Sequence, residues 1–111
     1  LTVYGPEDMT VMEDPKHKAI VTWLNPDSNE HEMEPVILEF KPQGEYKVIQ
    51  PSLSETFGYV QEGKVQVKVG KQIEVVSKGE SFYFEASAKH QIKNAGNETS
   101  KVLIVATNSY L

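Results

Sequence analysis

The chain has 111 residues, the size of one domain that can bury a modest core without covalent staples. It has no cysteine, which excludes disulfides, thiolate metal sites and a cysteine nucleophile and suits a reducing compartment. With 16 acidic and 11 basic residues the net charge is −5, and the basic residues, all lysines, are scattered rather than gathered into a nucleic-acid-binding face. No apolar run reaches the roughly 20 residues of a membrane span, and no signal peptide is visible.

In chain order, residues 2–15 read as a strand and loop at a sheet edge. Residues 19–24 read as a strand and residues 25–30 as a polar loop. From Pro35 onward strand signals are regular. Residues 36–40 form a short strand closed by Lys41, Pro42, Gln43 and Gly44, and residues 46–50 form another, stopped at Pro51. Residues 56–60 end in the turn signal Gln61, Glu62, Gly63. Val65, Val67 and Val69 alternate with Gln66 and Lys68, the period of a half-buried strand. Gly70 and Lys71 turn the chain, and residues 73–76 return as the hairpin partner. Gly79 breaks the chain before the bulky strand 81–84. Residues 91–94 and 102–106 are the last strands, separated by the loop 95–98.

Short strands at this spacing, with turn residues between them and no convincing long amphipathic helix, predict an all-β domain, a small antiparallel barrel or sandwich. No boundary falls inside residues 1–111, so one domain is expected.

The stretch from Gly44 to Asn94 resembles the two motifs of the cupin barrel. Gly44 and Gly63 stand at the ends of the first motif, and its three ligand places fall on Gln50, Ser52 and Thr56. Gly79 opens the second motif, and His90 and Asn94 fit it, but Glu85 and Ser87 stand where the family has proline and glycine. A narrower resemblance is to the C-terminal cupin domain of bacterial regulators that carry an N-terminal helix-turn-helix. It rests on residues 33–38, on residues 55–63 with the phrase Phe57, Gly58, Tyr59, Val60, and on residues 79–87 followed by His90 and Asn94. The chain opens at Leu1 rather than methionine, and beside this resemblance it is expected to be the C-terminal part of a longer regulator.

The resemblance implies a jelly-roll barrel whose metal site is largely replaced. A first-row transition metal needs converging imidazoles and a carboxylate. Gln50, Ser52 and Thr56 offer an amide and two hydroxyls, leaving His90 alone, so no metal and no cofactor are expected. Glu55 is no substitute, because one step along a strand reverses the face. Barrel closure would instead bring His90, Gln50, Ser52 and Thr56 together, with Ile92 and Phe84 beside them, as a pocket for a small polar or anionic metabolite. A histidine that only supports the fold is the competing reading of His90. The aromatics Phe57, Tyr59, Phe82, Tyr83 and Phe84 read as core or interface, and His17 and His31 as exposed.

The function expected from the resemblance is effector sensing and homodimerisation in a cytoplasmic transcriptional regulator, with residues 19–24 as an edge for pairing between copies. DNA would be met only by the other domain, no membrane is involved, and no catalysis is expected. The alternatives are a stand-alone cupin enzyme of isomerase or dioxygenase type and a ligand-free dimerisation module.

Overall fold

The computed structural model describes residues 1–26 and 30–107. Residues 27–29 of the expected 25–30 loop lie outside the described residues. Nine strands form among them: β1 (Thr10–Asp14), β2 (Ala19–Trp23), β3 (Met33–Phe40), β4 (Glu55–Glu62), β5 (Lys64–Val69), β6 (Gln72–Ser77), β7 (Ser81–Glu85), β8 (His90–Asn94) and β9 (Ser100–Thr107). A short 3-10 turn lies at Pro6–Asp8. The pairings are antiparallel and build a six-stranded sheet, β1-β2-β3-β9-β4-β7, and a three-stranded sheet, β6-β5-β8. The expected all-β antiparallel architecture is therefore present.

The two sheets share one apolar interior. Val36, Leu38 and Phe40 of β3, Val102 and Ile104 of β9, and Val60 of β4 face Val65, Val67 and Ile92 of the smaller sheet within one core. Strict alternation produces this, since β3 and β9 bury every second residue. Gly70 has φ of +59° and, with Lys71, makes the tight hairpin expected between β5 and β6. Asn94, at the end of β8, closes one end of the barrel. Its amide nitrogen donates to the carbonyls of Phe40 (3.2 Å), Lys41 (3.1 Å) and Glu98 (2.7 Å), and its oxygen accepts from the Gly96 N–H (2.8 Å).

Three expectations change. Residues 46–50 are not a strand: only the bridges Glu45↔Lys93 and Ile49↔His90 form. Four steps on one side match three on the other, so an extra residue interrupts the ladder. Residues 19–24 are not a sheet edge, because β2 is paired on both sides and β1 is the edge. β3 also begins before Val36 and runs through Pro35. Proline is tolerated there because β2 ends at Trp23↔Val36, so the missing Pro35 N–H costs no ladder bond, while the Pro35 carbonyl still accepts from Leu24 N–H at 3.3 Å.

Candidate functional site

The interior turns polar near the start of β8. His90 is 3% exposed. Its backbone exchanges two hydrogen bonds with Ile49, at 2.9 and 3.1 Å, and its ring meets Phe84 edge-on, with centroids 4.8 Å apart and planes at 63°. Thr56 is fully buried and sits between Ala106 of β9 and Phe84 of β7. Ile92, two residues after His90, is buried on the same face. Ser52 is half-buried, and its hydroxyl is 2.7 Å from that of buried Ser54. That segment is tied to the chain before His90 by Ser52 N–H to Ala86 O and Ala86 N–H to Ser54 O.

Gln50 does not join this group. It is exposed, and Ile49 takes the buried position beside His90. The extra residue in the interrupted ladder decides which of the two neighbours turns inward. Glu55 is exposed, on the face opposite Thr56, as the alternation requires. Phe82 and Phe84 face inward with rings 6.2 Å apart, while Phe57, Tyr59 and Tyr83 lie exposed on the outer face. His31 is exposed as expected, but His17 is half-buried and its Nδ1 lies 2.6 Å from the Asp14 carboxylate.

Sequence reading passed over Glu34, Trp23 and Ser54. Glu34 is buried, and its Oε1 accepts a 3.0 Å hydrogen bond from Trp23 Nε1. The signal was available: Glu34 is in phase with Val36, Leu38 and Phe40, and only the intervening proline hid the strand.

A cleft of about 130 Å³ opens between β5, β6 and β7, lined by Val67, Val69, Gln72, Glu74, Val76, Phe82, Tyr83 and Phe84. Phe84 thus borders the cleft on one side and His90 on the other. A second hollow of about 200 Å³ reaches His90 from outside, between Val48, Lys68, Gly70, Lys89 and Gln91.

The metal site of the fold does not fit these residues. Among the described residues no three of His, Cys, Asp or Glu gather where they could share a cation. One imidazole with neutral hydroxyls is too weak a donor set for zinc, iron or manganese.

Burial pushes the His90 imidazole below its ordinary value of 6.5, partly countered by a backbone hydrogen bond at Ala88. The ring is then neutral at pH 7, able to donate from one nitrogen and accept at the other. Unfolded chains bind this proton at about 6.5, the folded one only at lower pH. The stability His90 contributes is therefore complete above about pH 6.5 and is lost as the pH falls through that value. The melting temperature should decline as the pH falls below about 6.5, and His90→Gln should flatten the decline. Equal slopes for both proteins would contradict the assignment.

The family model for the cupin domain matches residues 36–106. This chain is a cupin. Similar solved structures include a predicted oxalate decarboxylase from Thermotoga maritima, with a TM-score of 0.78, 12% identity and coverage of 96% of this chain and 98% of that one. The cupin domain of Cnp3 from Schizosaccharomyces pombe gives 0.75 at 16% identity, covering 95% and 72%. The cupin domain of an XRE-family transcriptional regulator from Enterobacter cloacae gives 0.72 at 12% identity, covering 81% and 96%. At these identities the likeness shows the fold, which hosts enzymes and non-enzymes alike. No curated protein matches the chain. Among the described residues no helix of this cupin is long and apolar enough to cross a membrane.

Proposed function

We propose that this cupin is the effector-binding domain of a bacterial transcriptional regulator. In this reading a small molecule enters the barrel and biases the arrangement of a separate DNA-binding domain in the cytoplasm. The observation that carries it is buried Thr56 and His90 with half-buried Phe84 beside an apolar cleft, the composition of a small-molecule site. The donor set favours binding over the metal chemistry of cupin enzymes, and likeness to a regulator domain supports the same choice. A ligand acts on the regulator only if it binds two arrangements with different affinity.

A panel of metabolites tested by thermal shift decides this. At least one should raise the melting temperature by roughly 4 °C or more. His90→Ala should weaken that ligand by roughly 1–3 kcal/mol, the cost of leaving a buried partner unsatisfied. If no metabolite raises it and His90→Ala merely lowers it, the domain is a ligand-free module.

The regulator reading also requires a pair of copies, since operator-reading motifs work as two-fold dimers. With β2 internal, the supporting feature is the outer face of the six-stranded sheet. There exposed Phe57 and Tyr83 are register partners, Tyr59 is exposed nearby, and Leu103 and Val105 lie in the adjacent strand. Sedimentation at micromolar concentration should give a dimer that Phe57→Ser with Tyr83→Ser dissociates. A monomeric wild-type chain would end this part of the reading.

A further inference from the structure

The lysines are scattered along the chain, but the strand registers gather four of them on one face. In β5 and β8 the residues alternate between the buried interior and the outer surface. On the outer face β5 carries Lys64, Gln66 and Lys68, and β8 carries Gln91 and Lys93. Gln66 lies opposite Lys93, and Lys68 opposite Gln91. Lys89, one residue before β8, lies beside Gly70, whose N–H donates to the Lys89 carbonyl at 2.8 Å. Lys68 and Lys89 flank the same outer hollow of about 200 Å³.

Along β5 the order is therefore Lys64, Lys93, Lys68, Lys89, with one cation at every second residue. At about 3.3 Å per residue the backbone step is roughly 7 Å and the stripe roughly 20 Å long. All four lysines are exposed. Gln66 and Gln91 lie between them, and β6 adds Ile73, Val75 and Ser77 but no charge. Glu45, bridged to Lys93, and Glu98, beside Lys64, border one end, where Lys78 offsets them. Lys71 follows Gly70 at the other end. The outer face of the six-stranded sheet has the opposite character, with Glu39, Glu55 and Glu85 against Lys101. The molecule is thus polarised, although its net charge is −5.

Resting on the reading that the chain serves a transcriptional regulator, we propose that the outer face of the three-stranded sheet docks on the phosphate backbone of duplex DNA. Lysine and glutamine side chains hold phosphate oxygens without reading bases. A stripe of roughly 20 Å covers about six phosphates of one strand, at about 3.4 Å each. A single strand would need aromatic platforms for its bases, and the outer positions of β5, β6 and β8 carry none. The contact positions the regulator on the duplex and leaves base readout to the other domain. DNA, expected from sequence to meet only that domain, then meets this one as well.

The chain is titrated against two short fluorescent duplexes of unrelated sequence. Both should bind equally, with a dissociation constant of roughly 100 μM or tighter at about 50 mM salt. Four phosphate contacts should give a log–log salt slope of about −3.6, a loss of about a hundredfold between about 50 and 200 mM. Lys64→Gln, Lys68→Gln, Lys89→Gln and Lys93→Gln should each reduce the slope by about 0.9. Together they should abolish binding without lowering the melting temperature. Lys16→Gln with Lys41→Gln, exposed at the end of the other sheet, should leave the slope unchanged. No binding at about 50 mM salt, a slope indifferent to the four changes, or an equal loss in the control variant overturns the proposal. Tighter binding to polyglutamate or to phosphatidylserine vesicles than to either duplex overturns DNA as the partner. The metabolite panel decides effector binding separately, so either reading can fail while the other stands.

Discussion

Asn94→Ala should lower the unfolding free energy by about 3 kcal/mol, read from the urea midpoint at constant slope. The Asn94 side chain serves three carbonyls and one N–H from two parts of the chain: Phe40 and Lys41 at the end of β3, and Gly96 and Glu98 in the loop before β9. Phe40 is fully buried, so its carbonyl has little recourse to water once the amide is gone. The gross cost is the desolvation of several groups, reduced where Lys41 and Glu98 reach solvent. Asn94→Asp separates hydrogen bonding from volume. A carboxylate fills the same space but cannot donate, and it points lone pairs at carbonyl oxygens. It should therefore cost at least as much as alanine. A loss below about 1 kcal/mol for both variants would show that the loop re-forms without the clamp.

Gly58→Val should cost about 2 kcal/mol, although valine is the better strand former. Gly58 pairs with Phe82, and the Phe82 ring lies over it, where a Cβ would collide with the ring edge. The ring must leave its place against the core, opening the neighbourhood of Phe84, with which it stacks. The sign thus depends on one neighbour. In the Phe82→Ala background the same valine should be neutral or stabilising, so the double-mutant cycle should give a coupling of about 1–3 kcal/mol. Additive effects would mean that the backbone at Gly58, rather than the ring above it, sets the cost. Displacing Phe82 also reshapes the cleft beside Phe84, so loss of ligand response should accompany loss of stability.

The local signals proved sufficient for the fold. Alternation in β5 and β9, the Gly70 turn and the placement of Thr56 inward with Glu55 outward are consequences of a two-residue period, which needs no knowledge of distant strands. The matched glycines and Asn94 marked the loops where the barrel turns, and the resemblance carried by those positions agrees with the family match. The shortfall lies where a side chain's surroundings depend on another segment. Gln50 and Ile49 are neighbours, and an offset between two bridges to β8 decides which faces His90. Residues 19–24 have the character of a strand, but whether that strand is an edge depends on β1 pairing beyond it. Glu34 reads as an ordinary surface acid next to a proline. Only closure of β3 between β2 and β9, with Trp23 across the strand, makes it a buried charge. The period of a strand is written in its own residues, whereas register and closure are set by pairing energies between segments far apart in the chain.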